Sequence, residues 1–185
     1  MRIAGMLLGV AGALLVNAGA AHGQAVEGFG AAVGHYVALH REAERHLGVQ
    51  LDRGDAESVL AYSAALREAM GRVRPAAREG DVFAPAAVEF RRRIRLTLRR
   101  SAIEARDLLV AMRHDEEPGA PPPVVNQAFS WALGNLIPAV VLEVLPALPD
   151  ELQYRFVGTS LVLVDIDAGL VVDILRNALE VEPLE

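Results

Sequence analysis

The stretch that most constrains the fold is residues 154–175, YRFVGTSLVLVDIDAGLVVDIL. Here alone β-branched and aromatic residues gather into short runs separated by turn signals. The pattern predicts a three-stranded antiparallel meander. Gly158-Thr159 places glycine first in a two-residue type II′ turn, so Val157 pairs with Ser160 and, counting back, Phe156 with Leu161, Arg155 with Val162 and Tyr154 with Leu163. Residues 166–169 form a four-residue second connection, which sets Asp165 opposite Leu170.

In this register one face carries Tyr154, Phe156, Leu161, Leu163, Leu170, Val172 and Ile174, with Asp165 closing the row at the turn. That apolar face has to be covered, because a three-stranded sheet is not stable alone. The other face mixes Arg155, Val157, Ser160, Val162, Val164, Val171, Asp173 and Leu175 and is only partly suited to water. On it Arg155 and Asp173 flank Val162, spaced for a cross-sheet ion pair.

The covering layer precedes the meander. A helix is expected from Val26 to Leu47, with Phe29, Val33, Tyr36, Val37, His40 and Leu47 on one side and Gly48 ending it. Asp55 is placed to N-cap a second helix whose stripe is Val59, Ser63, Leu66, Met70 and Val73, before Pro75 stops it. A third runs from about Pro85 to Arg113, with Ile94, Leu98, Ala102, Ala105, Leu109 and Met112 on one side and Leu96, Ile103 and Val110 on the other. Residues 115–127 read as an extended, mobile linker rich in proline and acid. A short helix or loop at 127–136 and a short helix from Pro138 then lead into the first strand.

Ahead of the helices, Arg2, the apolar run 3–16 and the small residues at 18–23 have the layout of a secretory signal peptide. The expected division is therefore 1–23 signal, 24–114 helical region, 115–127 linker and 128–185 short helices plus meander, folded as one domain. An uncleaved anchor is the alternative; either places the remainder in the periplasm or outside the cell. The chain has no cysteine, which excludes disulfide frameworks, thiol catalysis and cysteine metal sites. Charge is divided unevenly. Residues 27–113 hold fifteen arginines against twelve acids, and residues 115–185 two against twelve, so the halves are complementary in sign.

Chemistry-bearing residues are sparse. His40 falls within the apolar stripe and reads as a core histidine bonded to a neighbour. His35, Glu42 and His46 share the solvent side, but His35 stands about 10 Å along the axis from Glu42. Glu42 and His46 alone supply two ligands where structural zinc takes four. Arg91, Arg92, Arg93, Arg95, Arg99 and Arg100 form a cationic segment suited to an anionic partner or to pairing with the acidic half. No aromatics are interleaved with them for base stacking, which argues against nucleic acid. The run 165–169, DIDAG, has the opening of a calcium loop without its later ligands and reads as a hairpin turn. Ser130 and Ser160 lack a nucleophile elbow.

The export segment, GDVFAP at 80–85 and the ending YRFVG…LVLVD…LVVDIL with Asn177, Ala178 and Leu179 resemble a group of uncharacterised exported bacterial proteins, which implies no activity. The meander is also similar to the C-terminal sheet of small periplasmic proteins that include a nickel/cobalt-homeostasis family. The matching residues are Tyr154, Arg155, Gly158, Leu161, Gly169 and Asp173; the helical half departs from those proteins' histidine-rich N-terminal regions.

The expectation is an α+β protein, an antiparallel layer of three main helices packed on a C-terminal three-stranded meander. Functionally it is an exported, non-catalytic binding or scaffolding protein of the bacterial envelope that needs no cofactor. Its partner would be an envelope protein or an anionic surface met by Arg91, Arg92, Arg95 and Arg99. The alternative is a periplasmic metal-binding accessory protein using His46, Glu42 and His35 or His114.

Overall fold

The computed structural model describes residues 11–113, 121–133, 135 and 137–180, with the backbone alone for 11–22 and 113. Helices α1 (Ala11–Arg45), α2 (Ala56–Val73), α3 (Ala87–Arg100), α4 (Ala105–Arg113) and the single turn α5 (Ala139–Leu142) precede strands β1 (Leu152–Val157), β2 (Ser160–Asp165) and β3 (Leu170–Leu175). The sheet is antiparallel in the order β1-β2-β3, and the fold class is α+β.

Helices α1 and α2 run antiparallel, as three contacts in succession require. Glu44 accepts from Tyr62, Arg74 lies over the Tyr36 ring, and Phe29 stacks on Phe83. The α1 stripe is as expected for Phe29, Val33, Tyr36, Val37 and His40, all buried, but the helix runs from Ala11 rather than Val26 and ends at Arg45, which leaves Leu47 beyond it and only partly buried. The alanine- and leucine-rich stretch before Val26 favours helix as strongly as residues 26–45 do. Among the described residues no helix is long and apolar enough to cross a membrane.

Asp55 caps α2, accepting from the amides of Glu57 and Ser58. The buried stripe of α2 is Tyr62, Leu66, Ala69 and Met70, whereas Val59 and Val73 are 39% and 45% exposed. The expected stripe was rotated by part of a turn, because Tyr62 outweighs the smaller valines in the area it buries.

The single third helix expected from Pro85 to Arg113 is instead two. A 3₁₀ turn at Ala84–Ala86 leads into α3, which ends at Arg100. There Ile103 N–H reaches back to Leu98 O, Ala102 N–H bonds Arg99 O, and Ala102 takes φ +52°. This is a Schellman ending with alanine where glycine is usual. Each expected stripe is therefore cut in two: Ile94, Leu98 and Leu96 fall on α3, and Ala105, Leu109, Met112 and Val110 on α4.

The β1–β2 register is the one read from the turn, and Asp165 faces Leu170 as expected. Between Leu163 and Val164 the β2–β3 pairing shifts at a bulge, so that Leu163 faces Asp173 while Val164 faces Val171. One extra residue on β3 exchanges the faces of everything beyond it. Leu175, not Ile174, joins Leu152, Tyr154, Phe156, Leu161, Leu163, Leu170 and Val172 against the helices. At the centre of that core the rings of Phe29, Phe83, Phe90 and Tyr154 pack at centroid distances of 4.9–6.5 Å.

The second face of the sheet is closed by the chain itself. Phe129 and Val125 pack on Val162, Val164, Val171 and Ile174. The segment is tied to both outer strands: Asn126 N–H and Phe129 N–H donate to Val171 O and Gly169 O on the β3 side, while Asn135 and Phe156 exchange two backbone bonds on the β1 side. The expected mobile linker is thus ordered over its last part, 121–127; residues 115–120 lie outside the described part. Phe129 is the sequence reason, since its ring fills the greasy patch that the strands leave open.

Candidate functional site

Two aspartates sit inside the structure with no exposure at all, Asp165 at the end of β2 and Asp173 on β3. Asp165 divides its oxygens. Oδ2 accepts from Tyr36 Oη and from His40 Nδ1, each at 2.6 Å, while Oδ1 accepts from the amides of Asp167 and Ala168 in the hairpin. The DIDAG run is therefore a hairpin turn in which Asp165 closes its own loop and grips α1. Burial alone would lower the His40 pKa, but the hydrogen bond to Asp165, that carboxylate's charge and the more distant Glu44 and Asp167 outweigh it and raise it. Burial and Asp165 push the Tyr36 hydroxyl far above its ordinary range. Tyr36 donates to the same oxygen as His40, not to His40, so its hydroxyl is not placed for activation by this histidine. The cluster is a latch between sheet and helix.

Asp173 is the second latch. It accepts from Gly80 N–H at 2.6 Å, Val82 N–H at 2.8 Å, Phe83 N–H at 2.6 Å and Ile174 N–H at 2.7 Å. Burial raises its pKa against the pull of these four amides. The GDVFAP and LVVDIL motifs are thus two halves of one contact, the loop wrapping its backbone donors around the strand's carboxylate. Pro85 packs so closely on Gly28 that a Cβ there would lie 2.9 Å from the proline ring. The expected Arg155–Asp173 ion pair does not form, because the bulge turns Asp173 toward the helical side. Arg155 instead donates to Gln153 and lies 5.4 Å from the centre of the Trp131 ring.

The metal candidates stay at the surface. His46 Nε2 is 2.8 Å from Glu42 Oε1, and the other Glu42 oxygen is held by Arg45. His46 first, then Arg45, lowers the Glu42 pKa. His35 is exposed two turns earlier, and His114 lies outside the described residues. Among the described residues no group of three or more metal-ligating side chains comes together. Ser130 and Ser160 have no histidine partner among the described residues, and Ser160 is buried in the first hairpin.

The arginines of α3 divide by role. Arg92 forms a two-bond fork with Glu89, each contact 2.8 Å, and Arg93 shares that carboxylate while also reaching Val144 O. Arg91 donates to Arg176 O, and Arg95 pairs with Glu180 at 2.6 Å. Part of the cationic segment therefore docks on the C-terminal half, as the charge division suggested. Two clefts flank the helix. One of about 440 Å³ lies between α3, α4 and the chain after β3, with Arg95, Arg99 and Arg106 at its mouth; the other, about 410 Å³, has Arg92, Arg93 and Arg100.

Both latch aspartates and the cleft escaped the sequence reading as sites. Asp165 carried a signal, being the one acid at the end of an otherwise apolar row. Asp173 was assigned to the wrong face, and a bulge leaves no mark in alternation. No protein-family model, curated protein or solved structure matches this chain.

Proposed function

We propose that the protein is an exported, non-catalytic binding protein of the bacterial envelope, and that it binds through the arginine-bearing side of α3 and the clefts beside it. The observation that carries this reading is the contrast between its two kinds of polar residue. The groups with catalytic potential, Tyr36, His40, Asp165 and Asp173, are at most 2% exposed and already hydrogen-bonded inside the fold. The open concave surfaces beside α3 instead gather guanidinium groups, three in each, among apolar side chains and a few acids. Guanidinium groups of this kind recognise carboxylates and phosphates by geometry as well as charge. The back of the sheet, which the sequence leaves only partly suited to water, is not part of this proposal, since Phe129 and Val125 occupy it.

Export rests on Arg2, the apolar run 3–16 and the small residues before Gln24. Removing that segment is compatible with the fold, since the first buried side chain among those described is Phe29. The test is a pair of measurements on cells producing the protein. Fractionation with N-terminal sequencing should find a periplasmic chain beginning near Gln24. In the intact envelope, Arg95→Glu with Arg99→Glu should remove or weaken cross-links that the parent forms. A cytoplasmic, uncut chain sinks the export claim, and an unchanged cross-link pattern sinks the arginine face.

A further inference from the structure

Among the described residues, Arg155 is the one partly buried guanidinium whose surroundings do not account for it. Arg92, Arg93 and Arg95 are paired with carboxylates. Arg67, Arg74 and Arg91 have no acid but spend their donors on oxygens, those of Ala168, of Val172 and the Asn126 side chain, and of Arg176. Arg155 has only the side-chain amide of Gln153, two residues along the same strand, and the Trp131 ring at 5.4 Å. Its Nε is buried and bonded to nothing. Burial draws its pKa down, and no acid acts against that pull. A charge withdrawn from water without a counter-charge destabilises the fold, and an anion brought to it recovers what burial cost.

The neighbouring ring is placed to hold the rest of such an anion. Trp131 lies in the turn closed by Leu133 N–H on Ser130 O, and Phe129, anchored in the back of the sheet, meets its ring edge-on at 5.1 Å. The indole is therefore fixed, yet Trp131 is 49% exposed. Although Nε is covered, the guanidinium charge is shared over all its nitrogens, and Nη1 has no protein partner and is not buried. Guanidinium groups bond carboxylates in their own plane, and an open aromatic ring takes a flat group by offset stacking. We infer that Arg155 and Trp131 form a site for a small aromatic carboxylate, its carboxylate on the outward guanidinium nitrogens and its ring against the open part of the indole. Tyr154 and Phe156, which flank Arg155 in β1, point to the helices, so Arg155 points away from them and the site is separate from the arginine side of α3.

Trp131 is the only tryptophan in the sequence, so its emission reports on this site alone. The test is titration of the purified chain with benzoate, with acetate as the charge without the ring and benzamide as the ring without the charge. The expected result is a saturable emission change with benzoate and none with the other two. Arg155→Met, which keeps the apolar stem, should weaken binding about tenfold or more, the loss expected when a charged hydrogen-bond partner is removed. Its melting temperature should stay at or above that of the parent, because the cation it removes leaves no counter-charge stranded. Arg155→Lys, which keeps the charge but not the planar fork, should bind between the two. Arg95→Glu with Arg99→Glu, on α3, should bind within about twofold of the parent. Absence of a saturable benzoate signal, an equal response to benzamide or acetate, or parent-like binding by both Arg155 variants overturns the inference. Loss of the signal in the α3 double variant would put the anion there instead and overturn it too. Since different substitutions alter this site and the α3 face, either reading can fail alone.

Discussion

Replacing His40 by glutamine isolates the latch between α1 and the sheet. The imidazole is 1% exposed and bonded to Asp165 at 2.6 Å; Tyr36 Oη and two hairpin amides stay on that carboxylate when it is gone. Asp165 is therefore not stranded, and the loss is that of one charge-assisted bond, about 1.5–3 kcal/mol. For a chain of this size that corresponds to a fall of roughly 3–12 °C in melting temperature. The pH dependence has a definite sign. The folded state raises the His40 pKa above the ordinary 6.5, so its contribution is whole below that value and is lost as pH rises through the folded-state value. Thermal unfolding of parent and His40→Gln from pH 5.5 to 9 should show the largest gap at the acid end and a narrowing gap toward pH 9. Tyrosines with the ordinary value of 10.0 do not ionise in that window, and other carboxylates cancel in the difference. A gap that is constant or widens with pH refutes the protonated-histidine latch.

Two further substitutions probe backbone and buried charge. Ala102→Gly should raise stability by about 1 kcal/mol in denaturant unfolding, because alanine at φ +52° bears the left-handed strain that glycine lacks; a destabilised variant would show that the α3 ending is not the one described. Asp173→Leu leaves the buried amides of Val82, Phe83 and Ile174 without their acceptor. At about 1–3 kcal/mol for each unsatisfied group, it should lose at least about 3 kcal/mol and unfold at much lower urea, and near-parental stability would contradict the latch.

The legible parts of this molecule were those fixed by local rules. The Gly158 turn set the first hairpin, Asp55 the start of α2, and the spacing of Phe29, Val33, Tyr36 and His40 the buried side of α1. His40 was readable as a core histidine, though its partner, 125 residues away, was not. What stayed hidden depends on choices between distant alternatives. The bulge that turns Asp173 inward is stabilised by amides of the 80–83 loop, a partner that strand alternation cannot anticipate. The ending of α3 uses alanine in a conformation that glycine would have announced. Arg92 and Arg93 looked available to a partner, yet Glu89, 5% exposed, holds both. The cleft with Arg106 exists only because α3 and α4 are separate helices, so reading them as one removed it from view.

The latches also set when this chain can fold during its synthesis. Phe29 meets Tyr154, His40 meets Asp165 at a separation of 125 residues, and Phe83 meets Asp173 at a separation of 90. No N-terminal fragment ending before the meander can complete the core, and contacts of such range form slowly. The helices have no sheet to close upon until the meander has been synthesised. Folding of this core is thus triggered by the strands, and the helices that precede them wait for it.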